Sequence, residues 1–124
     1  MVKILVADDD KVMLGLLETL MELEGNSVIT VTRPEQIVPT AQAENVALIL
    51  MDYHLTGGDS MNALKELKSN PALAQIPVLV ASGMDRKMEC MAAGADGFIL
   101  KPFRPAALLA EMQSILSKQQ SGGA

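Results

Sequence analysis

Five short apolar runs, separated by stretches of a different period, constrain this chain most. They are VKILVA (Val2 to Ala7), SVITV (Ser27 to Val31), VALILM (Val46 to Met51), IPVLVA (Ile76 to Ala81) and GFIL (Gly97 to Leu100). Most are continuous rather than alternating, the pattern of strands buried on both faces. Pro77 falls near the start of its run, where a strand tolerates the missing N–H.

The intervening stretches have helical spacing. Lys11 to Glu24 places Met13, Leu16, Leu17, Leu20 and Met21 on one side, and Gly25 can end it in a left-handed cap. Asp10 is the expected cap of that helix, and Asp59 that of a helix over Asp59 to Ser69, with Met61, Leu64 and Leu67 on one stripe. Met84 to Ala93 reads as a fourth helix, with Met88, Met91 and Ala92 spaced from Met84, and Gly94 stopping it. Arg104 to Lys118 carries Leu108, Leu109, Met112, Ile115 and Leu116. Pro34 to Glu44 is the weakest: Thr32 and Glu35 could form a capping box, and Pro39 predicts a short or kinked helix.

Strand followed by helix, five times over, predicts an α/β fold with a parallel sheet covered on both faces. Right-handed crossovers make the five-stranded order 2-1-3-4-5 the natural doubly wound arrangement. Ligands of such sheets bind beyond the carboxyl ends of the strands. The 124 residues suit one domain, expected over 1–118, with QQSGGA (119–124) as a flexible tail, linker stub or expression scar.

Aromatics are only 2% of the chain, so the core must be aliphatic, and the nine Met read mainly as filler within it. A formal net charge of −5 argues against nucleic acid and acidic membrane surfaces as direct partners. The single cysteine, Cys90, rules out an intrachain disulfide and reads as an inert helix thiol. No apolar run approaches the roughly 18 residues that span a bilayer, and the N-terminus is too short for a signal peptide core. A cytoplasmic protein is expected.

Polar residues gather at one edge of this frame. Asp8 and Asp9 follow the first strand, Asp52 the third, Ser82 the fourth and Lys101 the fifth. Strands 1, 3, 4 and 5 are neighbours in the expected order, so one pocket can hold three carboxylates, a hydroxyl and an ammonium. Clustered carboxylates raise one another's pKa unless a cation joins them, and a hard divalent ion with oxygen ligands is the obvious remedy. Metal, ammonium and hydroxyl together suit the oxygens of a phosphoryl group, and an Asp carboxylate can itself be the nucleophile. Each residue alone has a plainer reading: Asp8 and Asp9 as helix-start acids, Ser82 with Gly83 as a turn, Lys101 before Pro102 as the start of a loop, Phe98 and Tyr53 as packing, Arg86 and Lys87 as solvated.

The acidic pair in LVADDD, then LILMDYHLTGGD, VLVASG and GADGFILKPF, in that order, resembles the receiver domain of two-component response regulators over nearly the whole chain. The resemblance implies a flavodoxin-like fold, similar to the single-domain chemotaxis regulators. It makes Asp52 the phosphoacceptor, and Asp8, Asp9 and Asp52 the side-chain ligands of Mg²⁺ (or Mn²⁺), with the backbone carbonyl of His54 completing the protein set. It gives Ser82 and Lys101 the phosphoryl oxygens, Ser82 and Phe98 the switch, and a cis bond between Lys101 and Pro102. A histidine kinase or histidine phosphotransfer protein would donate the phosphoryl group. The surface of the fourth helix, fifth strand and fifth helix would then change toward a downstream protein or output domain, and a phosphorylation-dependent dimer is within the family's repertoire.

There are departures. Thr56 stands where the family often has Pro, and Ser60 where it often has Gly; Ser82 to Gly94 is shorter than in the chemotaxis regulator. Two other functions stay open. An aspartate-based phosphohydrolase usually wants a second acid where His54 stands. A receiver-like interaction module that no longer takes phosphate would normally have lost one of Asp8, Asp9, Asp52 or Lys101.

Overall fold

The computed structural model describes residues 2–122, with side chains through Lys118. Strand β1 (Lys3–Ala7) leads to helix α1 (Lys11–Leu23), β2 (Ser27–Val31), a 3₁₀ turn (Pro34–Gln36) and α2 (Ile37–Glu44). Then come β3 (Leu48–Asp52), a small hairpin of β4 (His54–Leu55) and β5 (Gly58–Asp59), and α3 (Met61–Ser69). The chain continues through β6 (Val78–Ser82), α4 (Lys87–Ala92), β7 (Gly97–Leu100) and α5 (Pro105–Gly122). The main sheet is parallel throughout, in the order β2-β1-β3-β6-β7. This is the expected 2-1-3-4-5 order with the unexpected hairpin interposed in the numbering.

The period of two along each strand sorts the core into two layers. Leu5, Ala7, Ile49, Met51, Val78 and Val80 face α2, α3 and α4. Ile4, Val6, Leu48, Leu50, Leu79 and Ala81 face Leu14, Leu17 and Met21 of α1 and Leu108, Met112 and Ile115 of α5. Each fully buried Leu or Ile stabilises the fold by roughly 1.5–3 kcal/mol, so the two layers together supply its main driving force.

Several local expectations are corrected. The buried row of α1 is Leu14, Leu17 and Met21, while Leu16 is half exposed. Gln36, not Glu35, caps the entry to α2: its Oε1 accepts from the N–H groups of Thr32 and Arg33 at 3.0 Å each, while Glu35 pairs with the Arg33 guanidinium. The helix is short, as Pro39 predicts: α2 has 8 residues behind the 3₁₀ turn, and Pro39 is its third, where the N–H has no partner inside the helix. α3 begins at Met61 behind Ser60, and Asp59 still supplies the first bond, accepting from the Met61 N–H at 3.0 Å.

The largest correction concerns the fourth helix, which starts three residues later than the Met84 boundary. Its Met stripe faces solvent: Met84, Met88 and Met91 are exposed, and Cys90 alone is buried. Asp85 accepts from the Lys87 N–H at 3.2 Å, which favours a turn before the helix over continuation back to Met84. Gly94 ends the segment at φ +106°, with the Lys68 stem 2.9 Å from where a Cβ would lie. α5 runs through Gly122, into the 119–124 stretch expected to be a tail; residues 123–124 lie outside the described residues.

Candidate functional site

The sheet ladder runs past its own strand ends and carries the polar residues with it. The Asp8 N–H donates to the Val31 carbonyl at 3.1 Å, Tyr53 N–H to Ala81 at 2.8 Å, and Lys101 N–H to Ser82 at 2.7 Å. Asp8, Asp52, Ser82 and Lys101 thereby reach one edge on regular backbone, which fixes them better than a free loop would. Asp52 and Ser82 are the last residues of β3 and β6 rather than the first loop residues. Carboxylate oxygens of Asp8, Asp9 and Asp52 lie within 4.8 Å of one another.

Lys101 closes the cluster. Its ammonium donates to Asp52 Oδ2 at 2.9 Å and to Asp8 Oδ2 at 3.3 Å. Asp8 is nearly inaccessible, and its Oδ1 also accepts from the Asp10 N–H at 2.9 Å. Asp10 turns away to cap α1, accepting from Val12 and Met13, as the sequence predicts. The peptide bond from Lys101 to Pro102 is cis.

Burial pushes the Asp52 carboxyl above the usual range; the hydrogen bond and charge of Lys101 oppose this, and the charges of Asp8 and Asp9 add to it. Burial pulls the Lys101 ammonium down, but its hydrogen bond to Asp52 and the charges of Asp52 and Asp8 prevail, so it is held above its ordinary value. Three carboxylates against one ammonium leave an excess of negative charge. A divalent cation with oxygen ligands fits that donor set.

Other residues named from the sequence are placed as follows. Ser82 is buried, and its Oγ accepts from the Met84 N–H at 3.1 Å. Phe98 is half buried, pairs with Val80 across the sheet and packs on the α2–α4 layer. The His54 ring is exposed and meets Tyr53 edge-on at 4.8 Å. Cys90 is fully buried, and burial pushes its thiol up, away from reactivity.

Two features of the site are not legible in the sequence. Thr56 donates to Asp9 Oδ2 at 3.1 Å; the only signal was its departure from the family's Pro. Tyr53, directly after Asp52, donates to Glu89 Oε2 at 2.7 Å, while the Arg86 guanidinium lies 4.3 Å over its ring. Arg86 is therefore engaged rather than solvated. No local spacing could have paired Tyr53 with residues so distant in the chain.

The family model described as "Response regulator receiver domain" matches residues 4–113. The chain belongs to this family. The receiver domain is a signalling module of two-component systems, and the acidic cluster at the edge of its sheet is present here. The alkaline phosphatase synthesis transcriptional regulatory protein PhoP of Bacillus subtilis is 30% identical over 121 residues, covering 95% of this chain and 50% of PhoP. The receiver domain of the Francisella response regulator 1452 superposes with a TM-score of 0.86 at 25% identity, over 95% of this chain and 98% of that one. The receiver domain of the sensor histidine kinase PA1611 of Pseudomonas aeruginosa, with a magnesium ion coordinated in its active-site cleft, gives 0.84 at 25% identity, over 94% and 98%. The chain spans from a fifth to about half the length of the curated relatives it matches. No helix among the described residues is long and apolar enough to cross a membrane.

Proposed function

We propose that this receiver domain is a phosphoryl-accepting switch in which Asp52 is the acceptor. The observation that carries the reading is the bridge of the Lys101 ammonium between Asp52 and Asp8, with Asp9 completing the acidic cluster. Asp8, Asp9 and Asp52, with the backbone carbonyl of His54, would hold Mg²⁺ or Mn²⁺. Such a cation screens the carboxylates from one another and from an incoming phosphoryl group.

The residues divide the remaining work. A phosphohistidine of a histidine kinase or phosphotransfer protein presents its phosphorus to Asp52. A carboxylate oxygen forms the new P–O bond as the P–N bond breaks, and the electron pair leaves with the imidazole. Ionised Asp52 needs no base, since a carboxylate is already a nucleophile at neutral pH. Lys101, held protonated by its two partners, offsets the charge gathering on the phosphoryl oxygens. The Ser82 hydroxyl turns from the Met84 N–H toward those oxygens. Movement of Ser82 and Phe98 shifts the surface of α4, β7 and α5 between two arrangements, read by a downstream protein, an output domain or a second copy of the chain. Exposed Met84, Met88, Met91 and Leu100 on or beside these elements suit recognition by an apolar partner.

Incubation with Mg²⁺ and acetyl phosphate, read by intact mass, tests the reading. One phosphoryl adduct is expected, absent in Asp52→Ala and after chelation. Rapid turnover of donor without an adduct would instead favour a phosphohydrolase, and neither adduct nor metal binding would favour a phosphate-independent interaction module.

A further inference from the structure

Of the three clustered carboxylates, Asp9 is held differently from the others. Asp8 is buried and bonded to the Asp10 N–H and the Lys101 ammonium, and Asp52 is bonded to Lys101. Asp9 is exposed, and its side chain takes its hydrogen bond from Thr56 at 3.1 Å. Repulsion from two neighbouring carboxylates acts to swing the exposed member outward, because solvent is where its charge is least opposed. The Thr56 hydroxyl resists that swing.

Thr56 is well placed to resist it. It opens the two-residue turn between β4 and β5, whose register pairs His54 with Asp59 and Leu55 with Gly58. The other turn residue, Gly57, sits at φ +100°, and a Cβ there would lie 2.6 Å from Arg33 Nη2. The turn is thus seated against Arg33 on one side and reaches Asp9 on the other. A β-branched side chain has few χ1 wells, so the hydroxyl loses little freedom in holding Asp9. A proline here would keep a turn but offer no donor.

We propose that Thr56 is a positioning residue of the acidic site, holding Asp9 in the orientation in which it shares one divalent cation with Asp8 and Asp52. The inference rests on the metal-binding reading above. A partner behind a metal ligand typically changes affinity about 10- to 100-fold when removed. Because Thr56 is exposed, its hydroxyl can be removed without opening the core.

The test is direct binding of Mn²⁺, followed by the loss of the free-ion paramagnetic resonance signal, and of Mg²⁺ by calorimetry, with no phosphodonor present. Thr56→Val and Thr56→Ala should each weaken binding by about tenfold, at the lower end of the range for such partners. Thr56→Ser, which keeps the donor, should stay near the parent. Thr56→Pro should behave as Thr56→Val does. In an Asp9→Asn background, Thr56→Val should add almost nothing, because the hydroxyl acts through Asp9. Parent-like affinity in Thr56→Val and Thr56→Ala overturns the inference and leaves the metal site standing. So does an equal loss with and without Asp9. Absence of Mn²⁺ binding by the parent protein at millimolar concentration overturns both the metal site and this inference.

Discussion

Helices α3 and α4 cover the same face of the sheet and are held to it by different physics. α3 buries Met61, Ala63, Leu64 and Leu67, and the ammonium of Lys68 in its last turn adds bonds to the Ile76 carbonyl at 2.9 Å and to Asp96 at 2.8 Å. α4 has six residues and buries Cys90 alone. A helix that short does not sustain itself, since nucleation is unfavourable and few bonds follow it. What α4 has instead is a polar fastening to the residue after Asp52. Tyr53 donates to Glu89, Arg86 covers the ring, and Arg86 and Glu89 approach each other at 3.5 Å. The apolar helix is anchored mainly by area spread over four buried side chains. The polar one is anchored by a few directional contacts that can open together. An element held in the second way belongs to the low-stability part of a fold, which is where moving elements are found.

The largest effect is expected in α3. Leu64 is fully buried, so Leu64→Ala should destabilise the whole domain by about 2–5 kcal/mol in urea unfolding. A loss under about 1 kcal/mol would mean that α3 is not held by its apolar face.

Tyr53→Phe asks the matching question of α4. It removes the hydroxyl from a carboxylate partner, a change typically worth about 1.5–3 kcal/mol. Its distinctive result is local: amide exchange in α4 should accelerate well beyond that in α3. Equal acceleration in both helices would remove the distinction between them.

Alkaline pH should open the same fastening in the unmodified protein. The hydrogen bond to Glu89, then burial, hold the Tyr53 phenol above its usual value near 10.0. The folded state therefore prefers the neutral phenol. That contribution is fully present below the unfolded value and is lost as pH rises through the folded one. Tyr53 is the only tyrosine and the chain has no tryptophan, so phenolate absorbance reports this single group. Its ionisation should come late and coincide with faster exchange in α4, while α3 stays protected.

The smallest effect is expected on the outer side of α4. Met88 is 88% exposed, and Met88→Gln should change stability by less than about 0.5 kcal/mol in thermal unfolding. A larger loss would indicate that α4 is held by apolar contact after all.

These two helices also mark how far the sequence could be read. The stripe of Met61, Leu64 and Leu67 was legible because burial there follows helical spacing, and the structure buries all three. Met84, Met88 and Met91 have similar spacing and stay in solvent. Periodicity records which residues share a side of a helix, but it does not say whether anything covers that side. The exposed methionines therefore looked like core.

Alone, the sequence determined the order of strands and helices, the parallel sheet, and the edge on which Asp8, Asp9, Asp52 and Lys101 would stand. Each of these follows from local pattern and from the few topologies that right-handed crossovers allow. Tertiary structure alone decided that Lys101 spans Asp52 and Asp8, that Thr56 reaches Asp9 across 47 positions, and that Tyr53 meets Glu89 across 36. Such contacts depend on distances of a few ångströms between segments remote in the chain. They are set by strand register, turn geometry and packing, and a one-dimensional pattern carries none of those lengths.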